Sequence, residues 1–272
     1  MSALVFLLCW LLAVNAGGLG NTVGYHRLLT HRAFRCPPAV RAGFTLLGAL
    51  HGGSPMMWVG LHRLHHAKSD AEEDPHSPTR GFWHAHSGWL IGTRNPALAI
   101  AFALSGFGQQ AVILRHDLQR LLGSRQADWV SLCPDLVQER LMRLLDRPLV
   151  MPALFLVQVG LSWAVAGGWG LFWLWTVHVF LTNSSWSVNS VCHWPAFGRQ
   201  PWPTGDWSRD VPWMAVVTNG ESYHNSHHRY PRSARHALDG GLDLSWRVIR
   251  GLERMGLASE LWLPRSHRGG SG

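Results

Sequence analysis

Seventeen histidines in a chain of 272 residues are the first residues that could do chemistry here, and they are not scattered. His26 and His31 bracket HRLLTH, His62, His65 and His66 form HRLHH, and His224, His227 and His228 form HNSHH. On an α-helix advancing about 100° per residue, positions i, i+3 and i+4 lie within about 60° of one direction, so each HxxHH group aims its imidazoles into one volume. The HxxxxH pair differs: i and i+5 diverge by about 140°, so its rings either serve different ions or sit at a fraying helix end. Neutral imidazole is a good ligand for iron, zinc, copper or nickel, and eight clustered rings exceed what one ion of about four to six positions can use. Two ions are the economical reading. A lone histidine is most often structural; it is the repetition, each group beside an apolar segment, that points to a shared metal site.

Residues 3–20 are uncharged and apolar, and eighteen helical residues reach about 27 Å, close to a hydrocarbon core of about 30 Å. With no basic stretch ahead of it and histidine-rich sequence directly after, this segment reads as a retained span rather than a cleaved signal. Residues 148–166 and 170–191 read as two more spans, joined by the turn Gly167-Gly168-Trp169. Residues 38–60 are apolar but carry Arg41, His51 and Pro55. A crossing there would put the first and second histidine groups on opposite faces, so this stretch is expected to lie along the interface or dip in without crossing. Residues 98–113, with Gln109 and Gln110, read similarly, and 115–147 read as amphipathic helix lying on protein or headgroups. Nearly every Arg then falls on one side, which the positive-inside rule makes cytoplasmic.

The expected fold is therefore all-α: an integral membrane helical protein of about three spans, whose cytosolic helical cap holds a histidine-rich di-metal site. One domain covers 1–264, followed by a disordered tail, 265–272. The formal charge of +8 suits an anionic membrane surface, and no nucleic-acid recognition motif accompanies it. Cys9, Cys36, Cys133 and Cys192 are spaced neither as a disulfide framework nor as a zinc finger.

The stretches GYHRLLTHR (24–32), GLHRLHH (60–66), DPHSPTRGFWHAHSGWL (74–90), NSVCHW (189–194), NGESYHNSHH (219–228) and SARHALDGGLDLSW (233–246) make the chain resemble the membrane-bound acyl desaturases. The likeness is to bacterial and cyanobacterial Δ9-type enzymes and, more distantly, to animal stearoyl-CoA desaturases, from about residue 15 to residue 264. It implies His26, His31, His62, His65, His66, His224, His227 and His228 as metal ligands. It adds His193 as a ninth, and places Asn189 near one ion through water. The other histidines, His51, His76, His84, His86, His116, His178, His236 and His267, fall outside the ligand pattern.

The implied reaction is O2-dependent formation of a cis double bond, of Δ9 type, in a long saturated acyl chain, with two irons as cofactor (zinc could replace them in a recombinant protein). Removing two hydrogens from unactivated methylenes is beyond any acid or base side chain. A redox metal is needed, with two electrons from an external ferredoxin or cytochrome b5-type donor. Glu221 and the acids 70–74 could accept hydrogen bonds from ligand Nδ1–H groups; of that run only Asp74 is favoured, the rest reading as a solvated loop. Trp58 and Trp186, with Trp83, Trp89 and Trp194, could line an acyl channel, although an interfacial aromatic belt explains tryptophan equally well. Arg94 matches a basic position that could meet a phosphate.

Two departures matter. Animal acyl-CoA enzymes carry an Arg-Asp pair before the second histidine group where this chain has Gly60-Leu61, so CoA, glycerolipid and carrier protein all stay open as acyl carrier. Relatives have four spans, two of them before the first histidine group; this chain offers one, so either its start lies downstream of another span or a shorter anchor suffices. The competing readings are a di-iron hydroxylase of a lipid or hydrocarbon and, outside enzymes, a histidine-rich metal transporter, whose ligands would lie near the bilayer midplane.

Overall fold

The computed structural model describes residues 3–123 and 129–264; the segment expected to be a tail, with His267, lies outside them. Among the described residues the chain is helical, with isolated bridges but no strands. Helix α1 (Ala3–Leu19) runs directly into a π-helical segment, Gly20–Thr30, and together these 28 residues are long and apolar enough to cross a membrane. Leu4, Leu7, Leu8 and Leu12 face outward from α1, as a lipid-facing surface requires.

Helix α2 (Pro38–Gly52) opens on a proline, whose fixed φ and missing N–H suit the first helical turn. At 15 residues it spans about 22 Å, short of the hydrocarbon thickness. It packs backbone to backbone on the π-helical segment: a Cβ on Gly20 would lie 2.4 Å from the Gly48 nitrogen, and one on Gly48 would lie 2.6 Å from the Tyr25 ring. The Tyr25 hydroxyl donates to the Gly53 carbonyl at 2.9 Å, pinning the joint from which α3 (Pro55–Lys68) departs. Ser54 caps α3 by accepting from the Met57 N–H. The capping and packing thus fix where the second histidine group begins.

Helix α4 (Pro96–Leu104) is apolar, whereas α5 (Gly108–Leu121) carries Arg115, Asp117 and Arg120; the two meet at 98°, with Gly106 at φ 69° in the bend. Helix α6 (Val150–Ser190) has 41 residues, about 62 Å, twice a bilayer core. It reverses at Ala166 and Gly167, whose dihedrals are non-helical. Residues equidistant from that break face one another: the rings of Phe155 and His178 are 5.5 Å apart, and a Cβ on Gly170 would strike the Ser162 carbonyl. The two arms are therefore antiparallel, and the reversal sits just ahead of the turn expected at 167–169.

Two short helices complete the site. Helix α7 (His224–Arg229) carries the third histidine group, and α8 (Leu244–Arg254), capped by the Asp243 carboxylate on the Trp246 N–H, buries Ile249 against Val23, Leu28 and Phe34. That apolar contact fastens the segment after α7 to the π-helical end of α1.

Candidate metal centre

The structure gathers all nine predicted histidines into two groups, in each of which the candidate donor atoms lie within 4.8 Å of one another. One holds His26, His31, His62, His66 and His227; the other holds His65, His193, His224 and His228. Each HxxHH motif splits between them. On α3 the i, i+4 pair His62 and His66 joins the five-membered group and His65 the other, while on α7 His224 and His228 join the four-membered group and His227 the first. The helical period thus feeds both groups from each helix.

Of the two expectations for the HxxxxH pair, the structure gives the helix end rather than separate ions. His26 lies on the π-helix and His31 is its C-cap, and both rings join one group. The His31 N–H donates to the His26 carbonyl at 3.1 Å, the i→i+5 bond of that geometry, which returns residue i+5 to the face of residue i.

Buried carboxylates set the ring tautomers. His65 Nδ1–H donates to Asp74 at 2.8 Å, His193 Nδ1–H to Asp70 at 2.9 Å, His228 Nδ1–H to Asp206 at 2.6 Å, and His26 Nδ1–H to Glu221. A neutral imidazole with its proton on Nδ1 presents a bare lone pair at Nε2. The Nε2 atoms converge: those of His65 and His228 are 3.3 Å apart, His228 and His224 3.1 Å, His26 and His227 3.0 Å, and His66 and His227 2.9 Å. The buried Nε2 of His193 has no hydrogen-bond partner among the described residues. Since neither His65 nor His228 has a proton to give at Nε2, their approach is unfavourable without a cation. With metal–imidazole bonds of about 2.0–2.1 Å, neighbouring donors in octahedral or tetrahedral geometry lie about 2.9–3.4 Å apart, which these spacings match. The donor sets fit transition-metal ions.

Electrostatics agree. Burial, then the neighbouring rings, push the pKa values of His62, His66, His224 and His227 well below the usual imidazole range, keeping these rings neutral and free to donate. Burial likewise takes His228 down to about 4 against the opposing pull of Asp206. Burial alone would raise Glu221, but His26, Arg27 and His236 hold it well below the usual carboxylate range.

Two of these supports were passed over in the sequence. Asp70, expected in a solvated loop, holds His193 and also accepts from the Trp207 N–H at 2.5 Å. Asp206 carries no motif; it is fixed by Thr204 and Ser208, and its role shows only through the contact with His228. Asp206→Asn keeps the shape but removes the carboxylate, so metal affinity or activity should fall about 10–100-fold. Metal titration of the purified variant checks this, and unchanged affinity would remove Asp206 from the site.

Of the remaining predicted residues, Trp58 and Asn189 line two cavities that meet at the histidines, Trp186 lines one, and exposed Arg94 lines neither. The first cavity, about 330 Å³, follows α1 and the second arm of α6. The second, about 350 Å³, lies beneath α3, α5 and the segment carrying Pro75 and Trp89. Asn21, His51, Trp58, His62, Ser185 and Asn189 line both, so the two cavities adjoin beside His62.

Comparison with known proteins agrees in kind. The family model described as "Fatty acid desaturase" matches residues 2–240. The chain is 34% identical over 262 residues to the "sn-1 stearoyl-lipid 9-desaturase" of Anabaena variabilis, covering 94% of this chain and 82% of that protein. It is 34% identical over 263 residues to the "Acyl-CoA C20 Delta5-desaturase" of Anemone leveillei, covering 95% and 74%. To the "Delta-9 acyl-lipid desaturase 1" of Arabidopsis thaliana it is 35% identical over 261 residues, covering 93% and 74%.

Proposed function

The chain belongs to the fatty acid desaturase family, and on that premise we propose that it is a membrane di-iron enzyme introducing a cis Δ9 double bond into a long saturated acyl chain. The observation that carries the reading is the pairing of two all-imidazole donor groups with two adjoining, mostly apolar cavities that share His62. Bound in the two groups, two irons would supply the O2 activation and electron transfer that breaking two unactivated C–H bonds demands.

The protein's own residues do the rest. The four carboxylates hold the rings in the donor tautomer and orient them. Trp58 stacks beside His62, ring centroids 5.1 Å apart, and lines both cavities, so it would press the reacting methylenes toward the centre. Asn189 also lines both cavities and would bind water next to an ion. Reducing O2 to two waters takes four electrons and four protons. The two C–H bonds supply two of each; a ferredoxin or cytochrome b5-type donor, docking on the Arg-rich face we take as cytoplasmic, supplies the other two electrons, and solvent supplies the other two protons.

A glycerolipid is the favoured acyl carrier. Gly60 packs against Trp129 and Leu61 lines the second cavity, so neither position offers charge to a CoA phosphate; relatives of equal similarity are named for acyl-lipid and for acyl-CoA substrates alike. Expression in a host lacking its own desaturase, followed by fatty-acid analysis, should yield cis-9 monounsaturated chains. A hydroxylated chain in their place would mark a hydroxylase instead, and no new product would refute the reading.

A further inference from the structure

The two histidine groups are backed unequally. In the four-membered group three rings give their Nδ1–H to a carboxylate: His65 to Asp74, His193 to Asp70 and His228 to Asp206, at 2.8, 2.9 and 2.6 Å. In the five-membered group only His26 does so, to Glu221. Among the described residues no carboxylate meets a ring nitrogen of His31, His62, His66 or His227, whose contacts are with other imidazoles.

The carboxylates also differ in what else they meet. Glu221 faces a cation: buried Arg27 donates to its Oε1 from Nε and Nη2 at 3.2 and 3.0 Å, and His236 Nδ1 lies 3.3 Å from Oε2. Asp243, which completes the Arg27 pair, contacts no ring of either group. By contrast, among the described residues no Arg or Lys pairs with Asp70, Asp74 or Asp206. Their further donors are neutral. Asp70 accepts from the Trp207 N–H, Asp74 from the Asp70 and His76 N–H groups, and Asp206 from Thr204 and Ser208. The three side chains are only 8%, 0% and 9% exposed, so water screens their charge poorly.

A carboxylate behind a ligand ring makes Nε2 more basic and adds negative charge near the ion. A ferric ion carries one more positive charge than a ferrous one and gains more from both effects. A buried charge one imidazole away shifts the ferric–ferrous equilibrium by about tenfold to a hundredfold. The fifth ring of the larger group donates electron density but brings no charge. Three uncompensated carboxylates therefore outweigh one that a guanidinium offsets.

Resting on the di-iron reading above, we propose that the four-histidine ion is the first of the pair to be oxidised, with Asp70, Asp74 and Asp206 as the positioning residues that make it so. In that step one ferrous ion becomes ferric and its electron passes to the oxidant, O2 in turnover. The five-histidine ion stays ferrous and holds the second electron.

The test uses the full chain, purified in detergent and loaded without oxygen with two ferrous ions of iron-57 per chain. Ferricyanide is added with redox mediators; each equivalent takes one electron from a ferrous ion and leaves a ferric ion and ferrocyanide. Mössbauer spectra should show one ferrous signal converting before the other, in two resolved one-electron steps. Asp206→Asn and Asp70→Asn should each make the first step harder, lowering its equilibrium constant by about tenfold or more. Glu221→Gln should move that step far less and act on the second. A merely structural role would lower iron content without moving the potential of the iron still bound.

Both ions oxidising together would overturn the proposal, as would a first step that follows Glu221→Gln and ignores the aspartate variants. Should Glu221→Gln fail to accumulate, an unmoved first step in both aspartate variants overturns it alone. A wild type that takes up fewer than two irons would refute the di-iron reading itself and, with it, this inference.

Discussion

Replacing His65 with alanine is expected to abolish desaturation by emptying the four-histidine group. His65 is almost wholly buried, and its Nε2 is one of only four donors there. The substitution also leaves Asp74 buried without the ring that holds it, so a lost ligand is compounded by a buried carboxylate short of a partner. Removing a support behind a ligand costs about 10–100-fold; removing the ligand should cost more, leaving activity below about 1%. Metal analysis of the purified variant should find one ion fewer per chain. His267→Ala, outside the ligand motifs, should leave both readouts unchanged. Wild-type activity in His65→Ala would break the ligand assignment.

The second large effect concerns stability. Arg27 is fully buried and bridges two carboxylates: its Nε and Nη2 donate to Glu221 at 3.2 and 3.0 Å, and Nη1 donates to Asp243 at 3.1 Å and to the Ala234 carbonyl at 2.8 Å. Glu221 in turn holds His26, and Asp243 caps α8, so one guanidinium ties the first and third histidine groups to the helix behind them. Arg27→Met fills similar volume but strands two buried carboxylates, which should destabilise the fold by about 3–5 kcal/mol. Arg27→Lys should recover only part of this, since an ammonium cannot reproduce the bidentate fork. Denaturation of the detergent-solubilised variants measures both. An Arg27→Met protein as stable as the wild type would show that the cluster is not a structural centre.

These two cases mark what could be read from the residues alone. His62, His65, His66, His224, His227 and His228 were legible because i, i+3, i+4 spacing maps directly onto a helix face. That each triplet divides between two groups was not, because the division depends on how α3 and α7 oppose one another in space. His193 came through resemblance, and the structure adds its buried, unpartnered Nε2. The convergence of His26 and His31 was hidden because α-helical periodicity was assumed; the π-helix is held by close glycine packing against α2, a tertiary effect. Asp70 meets His193 across 123 residues and Arg27 meets Glu221 across 194, and no local pattern announces either contact. Short-range chemistry was legible, and with it Asp74 and Glu221; Asp70, Asp206 and the Arg27 guanidinium were not.

The position of the metal is the most direct test. Crystals of the protein purified with its native metal, measured at the iron absorption edge, should give two anomalous peaks per chain. One should fall among His26, His31, His62, His66 and His227, the other among His65, His193, His224 and His228. A single peak, or peaks away from these rings, would contradict it.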